Sequence, residues 1–166
     1  MSKKLVLYII LVYNIFKVNN MNNIIFLDYD GVINTNVDDF DGYFDNPEAI
    51  RYLNKLCKEF HFDIVVTSSW RYHSGYKDFL YHSGLDPEVN IIGCTDISYQ
   101  GREFEIKKYL SDHPDINMYI IIDDAFLPGE LYRHLVQTTY SKGFNRNKYI
   151  EAVAKIDSLY NKIANE

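Results

Sequence analysis

Two pairs of acids stand at the ends of apolar runs in this chain. The stretch IIFLDYDGVIN (24–34) delivers Asp28 and Asp30 after four apolar residues and turns at once through Gly31, and NMYIIIDD (117–124) ends in Asp123 and Asp124. Between them, FDIVVTSSW (62–70) is a third apolar run, closed by Thr67, Ser68 and Ser69. Carboxylates gathered in one crevice repel one another and cannot all stay ionised unless a cation sits among them. A few hard oxygen ligands with no soft ligand nearby suit magnesium, which keeps several waters in its octahedral shell. Such a cation would draw in a phosphate. A phosphoryl group oriented beside a fixed carboxylate is set for nucleophilic displacement through an aspartyl-phosphate.

Each signal alone has an ordinary structural explanation, since Asp before Gly makes turns and Thr-Ser-Ser caps helices. Together they require a scaffold that brings three strand ends to one rim. In open α/β sheets the ligand crevice lies outside the carboxyl ends of the strands. The pattern supplies such a sheet: strands are expected at 22–29, 62–67, 89–94, 117–123 and 135–139, and helices at 47–60, 70–81, 102–112 and 145–163, with a helical turn after Pro128. Asn46-Pro47 is an N-cap with proline at the first helical position, and Ile50, Leu53, Leu56, Cys57 and Phe60 recur at helical spacing behind it. The run NNIIFLD has the continuous apolar character of a parallel strand covered on both faces. Alternating strands and helices imply a three-layer α/β fold with a mostly parallel central sheet.

Composition allows one such domain. At 166 residues, 47% hydrophobic, the chain has ample material for a single core. A net charge of -6 argues against a surface that coats polyanions but leaves room for a local phosphate site. Cys57 and Cys94 lie outside any CxxC or Cys/His array, and no histidine has HExxH spacing, so the thiols are expected in the core of a protein in a reducing compartment. Residues 1–20 form an extension to a domain spanning 21–166. Lys3 and Lys4 before LVLYIILVYNIF resemble a signal peptide without its cleavage site, too short for a comfortable membrane span. An additional packed element, or an upstream extension with the start at Met21, is the favoured alternative, and a cytoplasmic location follows from it.

DYDGV (28–32), VVTSSW (65–70), GREFEIKKYL (101–110) and IIIDD (120–124) together resemble the four motifs of the haloacid-dehalogenase-like (HAD) phosphohydrolases, and are especially similar to the compact HAD domains of RNA-repair proteins and polynucleotide kinase-phosphatases. The resemblance implies a Rossmann-like HAD fold and a set of roles. Asp28 would be the nucleophile and a metal ligand. Asp30 would be the acid and then the base, with its carbonyl on the metal. Thr67 would hold a phosphate oxygen, with Ser68 as fallback, and Asp123 and Asp124 would complete the Mg2+ shell. Arg102 would be the third-motif cation, ahead of Lys107. Arg71 stands between a substrate-phosphate contact and a surface salt bridge.

The spacing leaves no room for a large cap, with 36 residues between Asp30 and Thr67 and 34 between Thr67 and Arg102. Under the resemblance, an open site implies a phosphorylated substrate on a bulky carrier, such as a nucleic-acid end, or a nucleotide. Trp70, Tyr72 and Tyr76 either stack on a base or pack their own helix. A receiver-like or phosphate-binding module without turnover is the competing reading. It is disfavoured by Thr where a receiver places its acceptor Asp, and by the presence of Asp30.

Overall fold

The computed structural model describes residues 22–35 and 46–163. The expectations for residues 1–20 and for most of the polar stretch after Asn34 lie outside the described residues. A five-stranded sheet runs through the centre in the order β3-β2-β1-β4-β5, and every neighbouring pair is parallel. Its strands are β1 (Asn23–Leu27), β2 (Phe62–Val66), β3 (Ile91–Cys94), β4 (Met118–Asp123) and β5 (Leu135–Gln137).

β1 is buried along its whole length. Side chains alternate across a strand, so Ile25 and Leu27 enter one core and Ile24 and Phe26 the other. Helices α1 (Pro47–Phe60), α2 (Tyr76–His82) and α4 (Arg146–Ile163) cover the first face with Leu53, Leu56, Leu80 and Ile156. Helix α3 (Arg102–Asp112) and a 3-10 turn (Gly129–Arg133) cover the second with Ile106 and Leu131. Each fully buried Leu or Ile contributes roughly 1.5–3 kcal/mol, which is why both faces of a parallel sheet must be dressed.

The first helix forms as its sequence dictates. Asn46 Oδ1 accepts from the Ala49 N–H at 3.1 Å, Pro47 follows, and the helix stops at His61, whose left-handed backbone (φ 53°) returns its N–H to the Cys57 carbonyl. Cys57 is buried and Cys94 half-buried, both as free thiols, and burial pushes the Cys57 thiol up, away from reactivity. Among the described residues no helix is long and apolar enough to cross a membrane. Between Thr67 and Arg102 the chain holds only a 3-10 turn, α2 and β3, with no inserted cap.

The structure departs from expectation at one instructive place. The predicted helix 70–81 is broken into a 3-10 turn (Ser69–Tyr72) and the shorter α2, because His73 takes an extended conformation (φ -89°, ψ 132°) and Gly75 opens α2 afresh. The break turns Trp70 edge-on to Phe79, ring centroids 4.9 Å apart at 81°. β5 also ends at Gln137 rather than Thr139, which releases Thr138 for a contact described below.

Candidate active site

The strand order reverses between β1 and β4, and that is where the acids meet. Leu27 is in register with Val66 on one side and with Ile122 on the other. The next residue of each strand, Asp28, Thr67 and Asp123, therefore comes level on one rim. Backbone bonds carry the ladder this extra step, from Asp28 N–H to the Ile122 carbonyl (3.0 Å) and from Thr67 N–H to the Leu27 carbonyl (2.8 Å).

One oxygen from each of Asp28, Asp123 and Asp124 lies within 4.8 Å of the other two. Asp28 and Asp123 are buried, 7% and 0% exposed, so their repulsion is poorly screened by water. Arg102, the first residue of α3, relieves part of it. Its Nη1 is 3.0 Å from Asp28 Oδ2 and also donates to Asp123 Oδ2. The other oxygens are held by backbone, Asp28 Oδ1 by the Tyr29 N–H and Asp123 Oδ1 by the Ala125 N–H, each at 2.8 Å.

Burial pushes the Asp123 carboxyl up to about 6, the Arg102 guanidinium opposing the rise and the charge on Asp28 adding to it. Asp124 is raised as well, by burial and then by Asp28. Burial works against the charge on Arg102, but Asp28 and Asp123 outweigh it and raise its pKa. Three carboxylates against one guanidinium leave two negative charges, the charge that one divalent ion cancels. The three acids offer only hard oxygen donors, and the group can hold such an ion.

Gly31 makes the convergence sterically feasible. The DYDG turn folds on the Tyr29 carbonyl, which accepts from the N–H groups of Val32, Ile33 and Asn34. Gly31 sits at φ +71°, and a Cβ there would lie 2.6 Å from Asp124 Oδ2 and 2.8 Å from Asp124 Cβ. Any larger residue would collide with a carboxylate of the cluster. From the far edge of the site, Thr138 Oγ1 donates to the Gly31 carbonyl at 2.6 Å.

The turn after β2 supplies the remaining groups. Ser68 Oγ accepts from the Trp70 N–H at 3.4 Å and so opens the 3-10 turn. Thr67 Oγ1 is buried and has no hydrogen-bond partner among the described residues. A hydroxyl left that way costs about 1–3 kcal/mol. Asp30 stands beside the acid cluster, outside the three that converge. Its Oδ1 accepts from Asn34 Nδ2 at 2.7 Å and its Oδ2 from the Trp70 indole Nε1 at 3.1 Å.

Asp28, Arg102, Asp123 and Asp124 are thus brought together, and Thr67 lies level with Asp28 in the sheet register. Ser68 follows it, fully buried like Thr67, with its Oγ engaged as the cap of the 3-10 turn. Two expectations need correction. Lys107 does not compete with Arg102: it lies more than a turn along α3 and pairs with Glu103 at 2.6 Å on an exposed face. Arg71 is neither a surface ion pair nor open to a substrate. Its side chain, 4% exposed, pairs with Glu105 of α3 at 2.7 Å and donates to the Thr67 and Ser68 carbonyls. Glu105, Asn34 and Thr138 carry no signal in the sequence pattern, and Trp70, expected to stack on a base or pack its own helix, instead donates to Asp30. Their contacts cross between elements whose relative placement periodicity does not reveal.

A family model described as the HAD domain in Swiss Army Knife RNA repair proteins matches residues 24–149. No curated protein and no solved structure matches the chain. The family match runs from β1 into α4 and includes the acid cluster, the Thr67 turn and Arg102. With the parallel sheet and the site at its switch point, it establishes that this chain belongs to the HAD domain family of Swiss Army Knife RNA repair proteins.

Proposed function

We propose that the protein is a magnesium-dependent phosphomonoester hydrolase that works through an aspartyl-phosphate on Asp28. The observation that carries the reading is the pairing of a three-carboxylate cluster, two charges short of neutrality after Arg102, with an unpartnered buried hydroxyl at Thr67. An incoming phosphate and a divalent ion satisfy both. Mg2+ held by Asp28, Asp123 and Asp124 would supply neutralisation of phosphate charge and orientation of the phosphoryl group.

In this reading an Asp28 carboxylate oxygen bonds to phosphorus as the bond to the leaving oxygen breaks. Asp30 delivers its proton to that oxygen. Asp30, now a carboxylate, takes a proton from the water that attacks phosphorus in the second step, which frees inorganic phosphate and restores Asp28. Acid–base help of this kind is worth about 10²–10⁴-fold in rate. Thr67 holds a phosphate oxygen, and Arg102 keeps Asp28 aimed. The absence of an inserted cap between Thr67 and Arg102 among the described residues, and the family's link to RNA repair, support a phosphate on a bulky carrier such as a nucleic-acid end. The net charge of -6 supports local capture of that phosphate rather than coating of the polymer.

The test is phosphate release with and without Mg2+ from an aryl phosphate and from 3′-phosphorylated RNA and DNA, by wild type and by Asp28→Asn. Metal-dependent turnover that disappears in a folded Asp28→Asn protein supports the reading. A protein that takes up one phosphoryl group and keeps it would replace it with the receiver-like alternative, and an equally active Asp28→Asn would remove Asp28 from its role.

A further inference from the structure

The acid and base of this mechanism sits on a loop, and a carboxylate on a loop rotates about two side-chain torsions. To transfer a proton it must stay within hydrogen-bond reach of the leaving oxygen. The bond from Asn34 to Asp30 spans four residues of the same turn and moves with it. The bond from Trp70 Nε1 to Asp30 Oδ2 is different, because it reaches across 40 residues from the turn after β2. The indole itself is fixed. It meets Phe79 edge-on at 4.9 Å and Tyr29 at 6.3 Å, and the Tyr29 hydroxyl is in turn anchored on the Tyr76 carbonyl at 2.8 Å.

The geometry points to Trp70 as a positioning residue, whose indole N–H ties the Asp30 carboxylate to the rigid β2 side of the site and so sets the direction of proton transfer. The role rests on the phosphatase reading above. Without that N–H, the side-chain hydrogen bond left to Asp30 among the described residues comes from Asn34, within its own turn. The consequence depends on the substrate. An alkyl phosphate expels a strongly basic oxygen that must be protonated as it leaves, whereas a nitrophenyl phosphate expels a weakly basic one that needs no acid. A mispositioned Asp30 therefore penalises the first and spares the second, a signature that general loosening of the fold does not produce.

The experiment compares wild type and Trp70→Phe, which keeps an aromatic ring and loses the donor, in single turnovers of both substrates with Mg2+. Phosphoryl transfer from the alkyl phosphate is expected to fall at least ~10-fold in the variant while nitrophenolate release stays within ~3-fold. Equal losses on both substrates, or no loss on either, overturn the positioning role. The chain has a single tryptophan, so its indole N–H resonance is unambiguous in the full-length protein. Asp30→Ala is expected to shift that resonance and speed its exchange with solvent, and an unmoved resonance also overturns the proposal. This second readout needs neither activity nor a folded Trp70 variant. A wild type inactive on both substrates defeats the phosphatase reading, and this role with it, whereas failure of the substrate split in an active enzyme defeats the role of Trp70 alone.

Discussion

Replacing Gly31 by alanine separates backbone strain from loss of the site. Gly31 and Gly129 have nearly the same left-handed backbone, φ +71° and +69°. An L-residue in that region costs about 1–2 kcal/mol, which for a chain of this size lowers Tm by about 2–8 °C. Their surroundings differ. A Cβ at Gly129 meets nothing within 4 Å, whereas one at Gly31 lies 2.6–2.8 Å from three atoms of the Asp124 side chain. Asp124 is only half-buried and can swing aside, so Gly31→Ala is expected to unfold little earlier than Gly129→Ala. Its cost appears in metal binding. Displacing Asp124 leaves two carboxylates of three, and affinity for Mg2+ should fall by at least the ~10–100-fold that loss of a ligand-orienting contact produces. The assay is a Mg2+ titration followed by calorimetry, with thermal melts of both variants. Wild-type Mg2+ affinity in a folded Gly31→Ala protein would refute the placement of Asp124 in the ion's shell.

Mg2+ should raise Tm of the wild type, by the equivalent of about 2.7 kcal/mol at a concentration 100 times Kd, and melts of Asp123→Asn should lack the increment. Thr67→Val should leave stability unchanged or higher by about 1 kcal/mol, since it removes a buried hydroxyl that has no partner, yet phosphate release should drop sharply. Breaking the buried Arg71–Glu105 pair by Glu105→Ala strands a guanidinium and should cost about 3–5 kcal/mol in denaturant melts. Lys107→Ala, at an exposed helix pair, should change stability by less than about 0.5 kcal/mol and leave turnover untouched.

The alternation of apolar runs with helical periodicity was enough to read the parallel sheet, because burial on both faces writes itself into strands such as NIIFL and MYIIID. The acids at the strand ends were legible for the same reason, since a residue placed one step past a buried strand must lie on the rim. What the sequence hid were directions. Arg71 and Arg102 look alike as letters, but one is drawn into a buried pair by Glu105 and the other is drawn among acids. Trp70 reads as part of a helix that His73 and Gly75 interrupt, and its indole faces Asp30, 40 residues away. Periodicity reports which face of an element is apolar. It carries no information on which polar atoms of two distant turns end up opposite each other.

The hydrogen bond from Thr138 to the Gly31 carbonyl joins groups 107 residues apart, and Asp123 lies almost as far along the chain from Asp28. Contacts of such separation form late, because the intervening chain must be ordered before they are rewarded. A polypeptide emerging from the ribosome therefore carries Asp28 long before it carries the Arg102, Asp123 and Asp124 that surround it. The acid cluster is incomplete until the fourth strand is in place, and the turn that carries Gly31 gains its tie to Thr138 only after the fifth has followed.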